Sequence, residues 1–292
     1  MTATSSTPRP PRVLLSDLVL GESPRWHDGR LWVCDWGAQE LLTVDADGGR
    51  RQVVHRVTSL PFCIDWLADG RLLVVASADR TLLREAADGT LEPHADLRPL
   101  ADHPWNEVVA DGRGGAYVNT IGYEMMSGQP PAPGAVARVA ADGSARLVAG
   151  DLAFPNGMAI TPDGATLVVA ESHAGRLTAF SIDAAGGGLS DRRVWADLGD
   201  AAPDGICLDA EGAAWYADVP HRRCVRVREG GEVLQTVELD RGCFSCALGG
   251  PDGRTLFVVA ADWGGPDAVG ADRTGQVVAV EAPAPAAPRP AA

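Results

Sequence analysis

Glu22, Asn156 and Asp204 are the side chains of this 292-residue sequence best placed for chemistry, because each opens the first strand-like run of a repeating unit. The runs are Glu22-Ser-Pro-Arg-Trp26, Asn156-Gly-Met-Ala-Ile160 and Asp204-Gly-Ile-Cys-Leu208, and Phe62 or Cys63, Asn106 and Ser245 open matching ones. Two carboxylates and an amide oxygen are hard ligands, a donor set for Ca²⁺, Mg²⁺ or Mn²⁺ rather than for a thiophilic metal. The same polar ring also suits a water-filled channel, and spacing alone leaves both readings open.

The elements that position these residues follow from a repeat. An acidic residue followed by Gly recurs at Asp28-Gly29, Asp69-Gly70, Asp111-Gly112, Asp163-Gly164, Glu211-Gly212 and Asp252-Gly253, roughly every 40 to 50 residues. An apolar, β-prone run stands on each side of the pair, as in Gly157-Met-Ala-Ile160 and Leu167-Val-Val169. Two such runs joined by an Asp-Gly turn make a hairpin, since glycine accepts the positive φ that tight hairpin turns require. Most units hold a second hairpin, for example Leu41-Leu-Thr-Val44, Asp47-Gly48 and Gln52-Val-Val54. Six units of four antiparallel strands predict an all-β, six-bladed β-propeller. The last unit offers only three strands, so the lone strand Arg12-Val-Leu-Leu15 is expected to complete it and close the ring. Residues 11–282 form the propeller on this reading. Residues 1–10 and the Pro/Ala-rich 283–292 are expected to be disordered tails.

In a propeller the first strand of each blade is innermost, so Glu22, Asn106, Asn156, Asp204 and Ser245 ring one mouth of the central channel. Loops from second to third strands return to that same face. The longest of them, Ile121 to Pro130, is a candidate lid whose Tyr123 could touch substrate. His173, just after the second strand of blade four, is a candidate to bond substrate or shuttle a proton. Trp105 adjoins Asn106 and is expected in the pocket wall, whereas Trp26, Trp32, Trp66 and Trp215 read as packing anchors.

Composition excludes several functions. There are 25 arginines and no lysine, with a formal net charge of −14, which disfavours nucleic acid and anionic lipid. Without lysine there is no Schiff base. No apolar run reaches the ~18 residues of a membrane span, and the N-terminus lacks a signal core, so a cytoplasmic protein is expected. Cys243-Phe-Ser-Cys246 has redox spacing but lies in a strand-like run, where residues three apart face opposite ways. Buried, reduced thiols are the expectation.

Gly21-Glu-Ser-Pro-Arg-Trp26, Phe154-Pro-Asn-Gly-Met-Ala159 and Ala202-Pro-Asp-Gly-Ile206 resemble the three metal-binding motifs of the senescence-marker-protein-30/gluconolactonase/regucalcin family. The resemblance runs over roughly residues 11 to 282, with the motifs in the expected order and blades. It implies one divalent cation, Ca²⁺ foremost and otherwise Mg²⁺, Mn²⁺ or Zn²⁺, held by Glu22, Asn156 and Asp204. It implies hydrolysis of a small-molecule lactone, with the metal as Lewis acid and Asp204 as acid/base, and with Asn106 contacting substrate or completing the metal shell through water. Members acting on sugar lactones carry an arginine two positions before that asparagine. Here Pro104 stands there, which removes a donor for sugar hydroxyls. Two other readings are a metal-dependent enzyme performing cyclisation, isomerisation or lyase chemistry at a carbonyl or imine, and a non-enzymatic calcium-binding propeller.

Overall fold

The computed structural model describes residues 10–265 and 272–290. Six four-stranded sheets stand around a central channel, and in blades one to five the strands pair antiparallel in chain order. The innermost strands are Gly21–His27, Phe62–Trp66, Val108–Ala110, Pro155–Ile160, Pro203–Leu208 and Gly242–Gly249. In the sixth sheet the N-terminal strand Arg12–Leu18 pairs with Gly275–Glu281, the last strand of the chain, with Arg12 opposite Ala279. The ring is therefore closed by hydrogen bonds between the two ends of the propeller, as the sequence predicts. Among the described residues no helix is long and apolar enough to cross a membrane.

The hairpin chemistry explains the repeat. At Asp28-Gly29 both turn residues have positive φ, 48° and 73°, and His27 pairs with Arg30 across the turn. Such a turn matches the right-handed twist of its strands. The core lies between blades, in apolar clusters such as Val168, Leu177, Ile206, Tyr216 and Val225 at the interface of blades four and five.

A recurring clamp fixes where the innermost strands begin. Asp35, Glu171 and Asp218 each end the second strand of a blade and are completely buried. Each accepts backbone N–H groups of the segment leading into its own blade's innermost strand. Asp35 takes those of Val19 and Leu20, Glu171 that of Ala153 at 2.8 Å, and Asp218 that of Ala202 at 3.2 Å. A buried carboxylate is tolerable only with such partners, and these bonds tie the strand starts to the blade behind them.

The C-terminal segment departs from the expectation of a tail with nothing to bury. Residues 283–290 form a strap across the mouth of the channel opposite Glu22. Ala286 N–H bonds Gly253 O at 2.9 Å, Ala210 N–H bonds Pro285 O at 2.9 Å, and Ala287 N–H bonds Leu208 O at 3.0 Å. Arg289 then reaches Asp65 at 3.0 Å in blade two and lies over the Trp66 ring. Small Ala and Pro side chains let the backbone lie close on the blades, and Ala284 is fully buried. Of the expected N-terminal tail, residues 1–9 lie outside the described residues.

Candidate metal and substrate site

The polar ring read from the sequence is assembled at the mouth where the innermost strands begin. Glu22 is almost fully buried, and its carboxylate accepts the N–H of Ser23 at 3.0 Å. Ser23 takes a left-handed conformation, φ 47°, and its hydroxyl oxygen accepts the N–H of Ile64 from blade two, so strand and neighbour fix each other. Asn106 Nδ2 donates to Asn156 Oδ1 at 3.3 Å, and Asn156 lies beside Asp204, where it favours the charged carboxylate. Ser245 lies beside Glu22 and slightly favours its charged form.

Two glycines make this convergence possible. A Cβ on Gly157 would stand 2.5 Å from both Asp204 O and Ile206 N, and a Cβ on Gly205 would collide with the Ser245 side chain. The residue after Asn156 and the residue after Asp204 must therefore be glycine for neighbouring innermost strands to approach this closely.

The electrostatics are those of crowded, buried carboxyls. Burial pushes Glu22 up to about 8, helped by the nearby Glu107 charge. Burial also drives Asp204 well above the carboxylate range, with Glu22 and then Glu107 adding repulsion. Beneath the ring Arg25 Nη2 meets Glu107 Oε1 at 3.1 Å, both largely buried, which holds one positive charge under the carboxyls. The donor set fits a hard divalent cation: two carboxylates and one amide oxygen, with protons on both carboxyls until a cation replaces them. Among the described residues no three His, Cys, Asp or Glu side chains gather for a metal.

Other expected site residues divide. Tyr123 and His173 come together on the same face and share Phe154, which the sequence reading leaves without a role. Phe154 and His173 ring centroids are 4.5 Å apart and Tyr123 lies 5.9 Å from Phe154. Burial lowers the His173 pKa, so its ring is neutral near pH 7. Trp105 does not line a pocket. It is fully buried between blades two and three, packed with Cys63, Leu73, Leu82 and Val118. The chain is extended there, so the side chain next to an outward-facing Asn106 turns into the core.

Two contributors escape the sequence reading. Asn119, fully buried, donates to Asn156 O at 2.6 Å and accepts the Glu107 N–H at 3.2 Å, and its carbonyl accepts the Asn106 N–H at 2.7 Å. It is the only polar residue inside the run Ala116-Tyr-Val-Asn119, which is the signal that marks it. The second is the Arg25–Glu107 pair. The cysteines are all free, as expected, and Cys207 Sγ lies 3.9 Å from Cys246 Sγ.

A cavity of about 540 Å³ lies at the opposite mouth, beneath the C-terminal strap, walled by Trp66, Met158, Ile206 and Leu248. Its charged members are engaged, Arg25 with Glu107 and Asp65 with Arg289. The polar ring lies at the other mouth, away from this mainly apolar space.

Residues 20–262 match the SMP-30/Gluconolactonase/LRE-like region. The chain belongs to this family. It is 27% identical over 266 residues to a pentonolactonase of Haloferax volcanii, covering 89% of this chain and 87% of that protein. It is 30% identical to a 6-deoxy-6-sulfogluconolactonase of Pseudomonas putida, covering 83% of this chain and 84% of that one. Among solved structures, a calcium-binding protein, regucalcin, of Agrobacterium tumefaciens superimposes with a TM-score of 0.79 at 26% identity, over 96% of both chains. A luciferin-regenerating enzyme superimposes with a TM-score of 0.83 at 21% identity, over 98% of this chain and 99% of that one, which speaks to the fold.

Proposed function

We propose that this protein is a divalent-metal-dependent hydrolase that opens a lactone, a small-molecule substrate, at the mouth ringed by Glu22, Asn156 and Asp204. The observation that carries the reading is the convergence of these three donors with Asn106, in a chain similar to a pentonolactonase and a 6-deoxy-6-sulfogluconolactonase. The name of the regucalcin relative supports calcium as the ion.

Glu22, Asn156 and Asp204 would hold the cation, which when bound supplies a Lewis acid for the lactone carbonyl and for charge developing on its oxygen. The residues divide the remaining work. Asn106, already turned toward Asn156, is placed to donate to the substrate's ester oxygens. Asp204 is placed to take the proton of the attacking water and return it to the leaving ring oxygen. Asn119 and the Arg25–Glu107 pair touch no substrate; they position Asn156 and the floor of the ring.

Asp204→Ala should reduce lactone turnover by at least ~10³-fold while its thermal unfolding curve stays cooperative. Turnover within tenfold of the unmutated protein would remove Asp204 from the chemistry.

A further inference from the structure

A second cavity, of about 470 Å³, lies between two turns of blade three and the turn of residues 183–188 in blade four. Its charge runs against that of the chain. The sequence has 39 acidic residues and 25 arginines, yet the charged side chains in these walls are Arg113, Arg138, Arg146 and one acid, Asp111.

Arg138 and Asp111 are a closed pair, both largely buried, with Arg138 Nη2 donating to Asp111 Oδ2. Arg138 also lies over the Tyr117 ring, whose hydroxyl donates to Gly187 O at 2.9 Å. Gly187, at φ 63°, sits so close that a Cβ there would stand 2.4 Å from Arg138 Nε. Only glycine lets the blade-four turn settle on Arg138 in this way. Its carbonyls then meet the other two arginines: Arg113 Nη1 donates to Ala184 O at 3.2 Å, and Arg146 Nη2 donates to Gly186 O at 2.8 Å. Those carbonyls are two residues apart, so both guanidiniums come to one rim. Asp183, the acid of the same turn, accepts the N–H groups of Ala185 at 3.3 Å and Gly186 at 2.9 Å.

Among the described residues these are the side-chain bonds of Arg113 and Arg146, and neither guanidinium is ion-paired. Each carries five N–H donors, so most of both forks is open to a ligand, and both residues are exposed. A carboxylate answers one fork. A phosphate monoester brings three acceptor oxygens and close to two negative charges, matching two forks and the surplus of two positive charges in the walls. A phosphate group fills only part of a cavity whose volume is that of a small-molecule site, and the short side chains of Ala145 and Ala184 leave room for the carbon skeleton that carries it.

We propose that this cavity binds a small phosphomonoester, with its phosphate held between Arg113 and Arg146. The site lies on the strap side of the propeller, where a Cβ on Gly164 would stand 3.2 Å from Arg113 Nη2 and 4.0 Å from Pro290 Cβ. It is separate from the ring of Glu22, Asn156 and Asp204 and stands independently of the lactone-hydrolase reading.

The test is calorimetric titration of the full-length protein with glucose 6-phosphate and, separately, with inorganic phosphate. Glucose 6-phosphate should bind with a Kd below about 1 mM, at least ~3-fold tighter than inorganic phosphate. Arg113→Gln combined with Arg146→Gln should weaken it at least ~10-fold while thermal unfolding stays cooperative and lactone turnover is unchanged. Arg50→Gln, which removes an exposed charge in blade one, should leave binding as it was, separating the site from the net charge of the chain. No binding, or binding that survives the double variant, overturns the proposal. Inorganic phosphate binding as tightly as glucose 6-phosphate also overturns it, because the cavity would then hold the free anion and not an ester.

Discussion

Glu22 is a carboxyl whose charge state is set by where the strand puts it. Burial lifts it to about 8, and Asp204 is lifted as well. A raised carboxyl holds more protons folded than unfolded between its unfolded value of 4.5 and 8, so stability without metal falls as pH rises through that window. Cation binding must displace these protons. Calcium affinity should therefore climb with pH, roughly tenfold per unit for each proton released, with the Glu22 share of the climb ending above about 8. Calorimetric titration at several pH values, in buffers of different ionisation enthalpy, measures both the slope and the protons released; a pH-independent affinity would contradict protonated ligands. Glu22, Asn106, Asn156 and Asp204 were legible because each opens a run of the repeat. Asn119 and the Arg25–Glu107 pair were not. Their partners lie 37 and 82 residues away, and only the docking of neighbouring blades brings them into contact. Trp105 was misread because adjacency in an extended chain separates side chains rather than joining them.

At the scale of the strand, the acidic-Gly turns and the alternation around them were enough to place six blades. What they leave out is how the innermost strands are held at the mouth. The clamps of Asp35, Glu171 and Asp218 look in the sequence like ordinary strand-end acids, and only the strand pairing shows their targets in the preceding segment. The glycines after Asn156 and Asp204 were visible as Asn-Gly and Asp-Gly, a pattern that elsewhere marks turns; here they mark close strand approach. Gly205→Ala should destabilise the protein by about 1–3 kcal/mol through overpacking against Ser245, and should weaken the site beside it. Gly150→Ala, where a Cβ meets nothing within 4 Å, should change stability by no more than about 0.5 kcal/mol. Urea unfolding midpoints compare the two; equal effects would refute the close-approach account.

The whole molecule is a ring held at two levels. Pairing of Arg12–Leu18 with Gly275–Glu281 closes the sixth sheet, and the strap of residues 283–290 crosses from blades six and five to blade two. The closure was readable because a blade with three strands needs a fourth. The strap was not, because Ala and Pro carry no periodic signal and its anchors are backbone groups. The strap covers one mouth of the channel and leaves Glu22, Asn156 and Asp204 at the other. The most direct test of this arrangement is metal content against activity. One divalent cation should bind per chain, and lactone hydrolysis should fall to background on chelation and return when calcium is added back. Glu22→Gln combined with Asp204→Asn should bind none. Full hydrolysis in a chelated, metal-free protein, or unchanged metal content in the double variant, would contradict the account.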